Sequence, residues 1–550
     1  MKSILLILCL CIILCVDKIQ NQEITMYLVS NGGEQLIYQD LQSSSLSNST
    51  NTNSSSSGTD SASSSDKGNS TSSGSDSHEI IIPCGYSLSH PCSNITELLS
   101  NFQQFNVSQN YFGNGPNNTD AFPRLVVLMD KGPYIGFDSI NLLRFNISLQ
   151  PMYNNISTVV IDGLSNNGLF SVNQNDIQPG QLDAMQYNTE IEFNNIQFTG
   201  LSVTNDNMTS LLFINSSASV TDVTFNYCIV NSNQQLTRPF IEINSQLPSP
   251  GNQITQLNLF NCQFLDNSQI TSLISVNYGY VNIKSSEFNN NKGLLGTVIQ
   301  AYHSQVQAYK SQFIGNQAQF EGGALYMNGV LTLRQCQLSQ NKASKGGAIF
   351  FASTATLGIY SSTLESNQAN TTLGNDIYMV PSVNTTLGPG ISLIQNTAIT
   401  SNLEGSSIYC MQLILILYNF QFKSTSNLST LYFFNSTVDF NSTTINSMDN
   451  IYCNQSVFEF ITPHFLSTTD EALTSQFCSN SSKCLISSQS DLTCIPTPNT
   501  NTSSKGLSQK DKIIIACTVA PAGVCIIVII IFFIIRKKKY NGYTLLSGSD

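Results

Sequence analysis

The strongest order in this chain is an alternation of apolar and polar positions that runs, breaks and resumes at a fixed interval. In TVIQAYHSQVQAYKSQF (297–313) and GALYMNGVLTLRQCQL (323–338), apolar residues fall on every second position with one short polar break. Period-two alternation predicts β-strands with one buried face. The runs are rich in Val, Ile, Thr, Tyr and Phe and are punctuated by Gly and Asn, whereas a helix would need i, i+3, i+4 spacing and strong helix formers.

The breaks keep a period. CQFLDN ends at Asn267, SEFNNN at Asn291, SQFIGN at Asn316, CQLSQN at Asn341 and STLESN at Asn367, at intervals of 24, 25, 25 and 26 residues. CIVNSN, ending at Asn233, and ISLIQN, ending at Asn396, fit the same phrase. A period this regular predicts one structural unit stacked on its own copies. The frame of a leucine-rich repeat is missing, so the expected unit is a coil of two or three short strands. Each coil would hydrogen-bond to the next at about 4.8 Å, giving an all-β parallel β-helix with coils of about 25 residues.

The register assigns roles to the repeated residues. Phe264, Phe288, Phe313, Leu338 and Leu364 are expected to stack as an inward column, and Asn267, Asn291, Asn316, Asn341 and Asn367 to occupy the following turn. There Asn tolerates a left-handed backbone and its amide can bond its copy in the next coil. Gly322-Gly323 and Gly346-Gly347 precede a strand where another backbone passes too close for a Cβ. Cys228, Cys262 and Cys336 share one slot, filled by Ser286, Ser311 and Ser362 in other coils. Cys228 and Cys262 would then be stacked neighbours within disulfide reach, with Cys336 too far away to join Cys262.

Both ends of the chain add a membrane itinerary. The apolar run Ile4 to Val16 follows Lys2 and reads as a secretory signal (1–16) cleaved near Cys15. Residues 513–535 carry no charge and would span roughly 34 Å as a helix, enough for one crossing. Arg536-Lys537-Lys538-Lys539 follow at once and put the C-terminus in the cytosol. Between these ends lie a strand-like segment (17–42) expected to pair with the folded body, a Ser-rich linker (43–78), a cap and first coil (79–136), the β-helix (137–470), a Cys-containing segment (471–494) and a stalk (495–512).

Composition agrees with an extracellular or lumenal ectodomain. Only 10% of residues are charged, and the net charge of −12 leaves no basic patch for nucleic acid. Asn-x-Ser/Thr sequons mark Asn94, Asn106, Asn146, Asn155, Asn207, Asn215, Asn370, Asn384, Asn427, Asn435, Asn441 and Asn454 as glycosylation candidates, and none falls between Asn215 and Asn370. Ten of the 15 cysteines lie between the apolar ends, with Cys84 and Cys92 the expected local disulfide.

FIGN…GGALYM and LSQN…GGAIFF resemble the F-x-x-N and G-G-A-[ILV] repeats of the chlamydial polymorphic outer-membrane proteins. More broadly they resemble the right-handed parallel β-helix, pectin-lyase-like superfamily. The resemblance covers residues 264–351; after Asn291 the stretch LLGTV replaces Gly-Gly-Ala. Pro83 to Phe102 followed by Leu125 to Gly136 looks like the opening of many extracellular β-helix proteins: a disulfide-tied loop, a short capping helix, then a first coil closing on a G-x-Y turn. The Asn, Gln, Ile and Ser bias resembles that of single-pass surface proteins of ciliates. The resemblance implies a right-handed coil and divides function between surface adhesins and carbohydrate-active enzymes.

A pectinase-type site would need clustered carboxylates with a nearby His. The four histidines, His78, His90, His303 and His464, are widely separated, and Asn118-Thr119-Asp120 resembles the N-T-D signature but is followed by Ala121. Lys310, Arg334 and Lys342 stand without adjacent acidic clusters, His303 is expected to face outward, and no metal or cofactor motif occurs. The sequence therefore points to a type I surface glycoprotein that recognises a protein or glycan ligand, with a membrane-tethered polysaccharide lyase or hydrolase as the alternative. Tyr278, Tyr280, Tyr302, Tyr309 and Tyr326 are candidate contact residues, several of them expected to point inward. Tyr543 to Leu546 resembles a Tyr-x-x-hydrophobic sorting signal for clathrin adaptors.

Overall fold

The computed structural model describes residues 23–28, 92, 97–99, 484–486 and most of 124–465. The leader, Ser-rich linker, stalk, apolar segment 513–535 and tail with Tyr543 and Leu546 lie outside the described residues, as do Cys84 and the Asn118-Thr119-Asp120 loop. No helix among the described residues is long and apolar enough to cross a membrane.

The described chain is almost entirely β. Its strands form sheets of 25, 13 and 6 members in which each strand pairs with its counterpart one coil away. The pairing is parallel throughout, for example Gln256 with Tyr280 and Phe264 with Phe288. Stacked parallel sheets with this connectivity are consistent with a parallel β-helix. One coil runs through Ile274–Asn277, Gly279–Lys284, Glu287–Asn289 and Lys292–Leu295. In the next coil the first two strands fuse into Ile299–Tyr309, which turns the corner at an irregularity between Tyr302 and Ser304.

Alternation decides what is inside. Leu325–Arg334 buries every second residue up to Leu333, so its apolar set faces the core while Tyr326, Asn328, Val330 and Thr332 face out. On the third face Phe264, Phe288, Phe313, Leu338 and Leu364 lie in one register and are fully buried. Rings of Phe264, Phe288 and Phe313 stack at 5.0 Å per step. The stack is closed at its start by Glu23–Leu28, which pairs along Arg124–Met129 across the linker, and by Leu98 and Leu99, buried in the same core. Covering a strand edge in this way removes a template for aggregation.

The Asn column forms a buried amide ladder. Nδ2 of Asn267, Asn291, Asn316 and Asn341 donates to Oδ1 of the next copy at 2.9–3.1 Å and to a main-chain carbonyl of the preceding coil. The left-handed residue of this turn is not the Asn, contrary to expectation, but the one before it: Asp266, Asn290, Gly315, Gln340 and Ser366 have φ of 55 to 66°. The inward Asn keeps ordinary backbone geometry because its amide must reach along the column, and its outward predecessor takes the strain. Asn396 is also reassigned: Ile391–Gln395 belongs to the second face, where Ile394 pairs with Ile359, so Asn396 ends a different turn. The phrase hydrophobic-x-x-Asn fits both turns.

Glycine is required where the coils touch. Gly322 and Gly346 have φ of 65 and 61°, and a Cβ on Gly323 would run into the carbonyl oxygen of Gly347 one coil on.

The Cys228–Cys262 disulfide that the register allows does not form. The two residues do stand on adjacent coils, but both are free thiols, as are Cys336 and Cys410. Stacked residues in a parallel ladder sit about 4.8 Å apart, longer than the Cβ separation a disulfide takes. Each thiol instead donates to a carbonyl of the previous coil, Cys228 to Phe193 and Cys262 to Phe225. Burial pushes the Cys336 thiol up and that of Cys410 to about 12, so neither is reactive. Cys92 and Cys453 are disulfide-bonded.

The amide ladder ends on a buried carboxylate. Asn367 Nδ2 donates to Asp376 Oδ1 at 2.8 Å, and the Ser407 hydroxyl donates to the other oxygen. Burial outweighs these bonds and pushes the carboxyl up to about 6. The folded carboxyl thus holds its proton to higher pH than the unfolded one, so stability falls as pH rises from about 4 to about 6. Asp376→Asn will raise stability at pH 7 by about 3 kcal/mol and flatten that slope. A variant curve parallel to wild type in pH-dependent urea unfolding would contradict the assignment.

Candidate recognition surface

The turn between the second and third faces carries one residue per coil in left-handed conformation, including Asn195, Tyr227, Asn261, Ser285, Lys310 and Gln335, with φ of 51 to 54°. A single-residue corner between two strands requires this geometry, which Asn adopts at lower cost than a bulky side chain. Tyr227 nevertheless occupies it between two coils that use Asn, and its ring is 60% exposed.

Around Tyr227 lies a groove of about 740 Å³ along the outer wall. Its floor comes from outward positions of successive strands: Gln150, Glu192, Asn194, Asn226, Phe260 and Lys284. Glu192 is held from two sides, by Arg124 Nη2 at 2.5 Å and by Asn226 Nδ2 at 2.9 Å. Asn226 also donates to Asn194 Oδ1 at 2.9 Å, and Asn194 in turn to Ser148 Oγ at 3.2 Å. The amides and carboxylate offer both donors and acceptors, while Tyr227 and Phe260 offer apolar area beside them. Such a wall suits a ligand that presents hydroxyls and C–H faces together.

A second feature runs along the first face. Tyr326, Phe350, Tyr378, Tyr409, Tyr432 and Tyr452 occupy one outward position in six consecutive coils. Their ring centroids are 4.5–5.2 Å apart and their planes lie within 13° of parallel. Each ring covers the face of the next, so the stack shows edges and hydroxyls to solvent, and a sugar cannot lie flat on it. Burial raises the phenol pKa of Tyr326, Tyr378, Tyr409 and Tyr432. Lys345 lies 5.6 Å over the Tyr378 ring and 3.8 Å from Glu321.

The tyrosines singled out by sequence are all outward, none of them inward as expected for several. An alternating strand leaves no half-buried option on its inner side. Tyr278 stacks on the exposed His303 ring at 5.0 Å, Tyr280 donates to Gln307 Oε1 at 2.9 Å, Lys310 lies over Tyr309, and Arg334 over Tyr360. Of the sequon asparagines, Asn370 and Asn435 are exposed and Asn146, Asn215, Asn441 and Asn454 half-buried. Asn94, Asn106, Asn155, Asn207, Asn384 and Asn427 lie outside the described residues.

Sequence reasoning missed the groove and five of the six rings of the stack. The stack had a signal, an aliphatic-aromatic dipeptide at Leu325-Tyr326, Ile349-Phe350, Ile377-Tyr378, Ile408-Tyr409, Leu431-Tyr432 and Ile451-Tyr452. The groove had a weaker one, Phe-Asn-Asn at 193–195 and Phe-Asn-Tyr at 225–227. It also missed Asp439 and Glu459, neighbours on adjacent strands of the second face. Burial, and then Glu459, push the Asp439 carboxyl up. Among the described residues no group of three or more His, Cys, Asp or Glu is placed to hold a metal ion.

The chain matches no known family model and no curated protein.

Proposed function

We propose that this chain is a single-pass surface glycoprotein whose ectodomain is a right-handed parallel β-helix of the pectin-lyase-like kind, and that it recognises a glycan in the groove around Tyr227. Residues 1–16 direct secretion, 513–535 anchor the chain, and the coils stand outside the cell or in a lumen. The similarity to polymorphic outer-membrane protein repeats supports an adhesive role.

The observation that carries the proposal is Tyr227 itself. A left-handed backbone at a non-Gly residue costs on the order of 1 kcal/mol, and Asn relieves part of it. Neighbouring coils take that relief with Asn195 and Asn261, while this coil keeps an exposed aromatic ring over an amide-lined wall. Strain retained under an exposed aromatic ring that lines a groove favours use of that side chain in binding. Phe260, Asn261 and Lys284, which share the groove, also lie in the stretch without sequons, so no attached glycan on those coils would block it.

Tyr227→Asn tests this. The variant is expected to gain up to about 1 kcal/mol in stability and to lose about tenfold or more in glycan affinity. Unchanged binding on a glycan array would overturn the assignment of the groove.

A tethered hydrolase is the second reading, favoured by the Asp439 and Glu459 pair. A carboxyl pushed up by burial and by a second carboxyl beside it has one feature of a general acid.

A further inference from the structure

The aromatic stack ends in four consecutive tyrosines, Tyr378, Tyr409, Tyr432 and Tyr452, at successive centroid distances of 4.7, 4.8 and 4.5 Å. Two properties change along this run. The rings become more accessible, from 9% for Tyr378 to 42% for Tyr452, and the closest pair is the last one. Tyr452 sits on Ile451–Asn454, the last strand of its face among the described residues, beside the disulfide-bonded Cys453. The end of this stack thus already carries one oxidative cross-link, and the strand there has a parallel neighbour on only one described side, Ser429–Phe434. A strand paired on one side alone opens locally more easily than one paired on both.

We infer that Tyr432 and Tyr452 form an oxidative cross-linking site, joined by a carbon–carbon bond between their rings when a haem peroxidase and hydrogen peroxide act on the protein. Each phenol gives up one electron and one proton, and the two phenoxyl radicals couple through the ring carbons ortho to their oxygens. The two ring hydrogens displaced by the new bond move to the oxygens and restore both phenols. The peroxide takes up the two electrons and two protons and leaves as two waters. Stacking holds the reacting carbons of the two rings in proximity, which replaces a bimolecular encounter by an intramolecular one. The product fastens the coil of Tyr452 to the one before it with a link that reductants do not open. This inference does not depend on the groove around Tyr227.

The test uses the purified full-length chain with a plant haem peroxidase and hydrogen peroxide, read by dityrosine fluorescence and by mass spectrometry of the linked peptides. The expected result is a peptide pair joined at Tyr432 and Tyr452, two hydrogens lighter than its parts, formed at a rate independent of protein concentration. Tyr452→Phe keeps the ring stack and should lower the dityrosine yield about tenfold, because coupling by exposure alone lacks the preorganised partner. Tyr418, 41% exposed but outside the stack, serves as the control: Tyr418→Phe should change nothing. Coupling that depends on Tyr418, that rises with protein concentration, or that joins any pair other than Tyr432 and Tyr452 would overturn the inference. So would the absence of dityrosine under conditions that cross-link free tyrosine.

Discussion

Asn316→Leu will destabilise its coil by about 3 to 5 kcal/mol, although the two side chains branch alike and have the same number of heavy atoms. Asn316 Oδ1 accepts from the backbone N and the Nδ2 of Asn291 at 3.1 and 2.9 Å, and its Nδ2 donates to the Phe288 carbonyl at 2.8 Å. Leucine leaves the Asn291 N–H, one Asn291 amide hydrogen and the Phe288 carbonyl without these partners in a site closed to water. Each such orphan costs about 1 to 3 kcal/mol. A stacked array need not unfold in one step, so hydrogen exchange resolved by coil is the better measurement. Amides of the flanking coils should exchange roughly a hundredfold faster or more. Gln312→Leu, an outward change in the same coil, should stay within about 0.5 kcal/mol. Equal effects for the two would mean that the amide ladder contributes nothing to stability.

Phe288→Ala is expected to cost about 4 kcal/mol. The ring is fully buried and stacked on both sides, by Phe264 and Phe313. Alanine removes both ring contacts and leaves a cavity that a rigid ladder of backbone hydrogen bonds cannot close. Phe288→Leu should cost only about 1.5 kcal/mol, because Leu338 and Leu364 fill the same column in later coils. Coil-resolved exchange checks both variants, and a leucine variant as unstable as the alanine one would mean that the column does not accept aliphatic residues interchangeably.

The sequence was legible wherever the same environment recurred at the same interval. Phe264 to Leu364 and Asn267 to Asn367 repeat because each inward position meets its own copy, and that constraint writes a period into the chain. Positions that face solvent carry no such constraint. The aromatic stack escaped notice because the loops between its members vary, so Tyr378 and Tyr409 stand 31 residues apart and Tyr432 and Tyr452 only 20. The groove escaped because Arg124, Glu192 and Tyr227 come from different coils and meet only after stacking. Register correctly put Cys228 beside Cys262 but says nothing about whether their Cβ atoms approach closely enough to bond. The left-handed turn was assigned to Asn267 and its copies because Asn often takes that conformation; in the fold the amide is needed inside, and Asp266 or Asn290 bends instead.

Recognition without turnover is the central claim, and one measurement addresses it directly. The purified protein is applied to a glycan array, and every glycan it retains is then incubated with it in solution while reducing ends and unsaturated sugars are followed. The account predicts retention of at least one glycan class, weakened by Tyr227→Asn, with no sugar released. Release of product, abolished by Asp439→Asn and indifferent to Tyr227, would contradict it and make the carboxylate pair the working site.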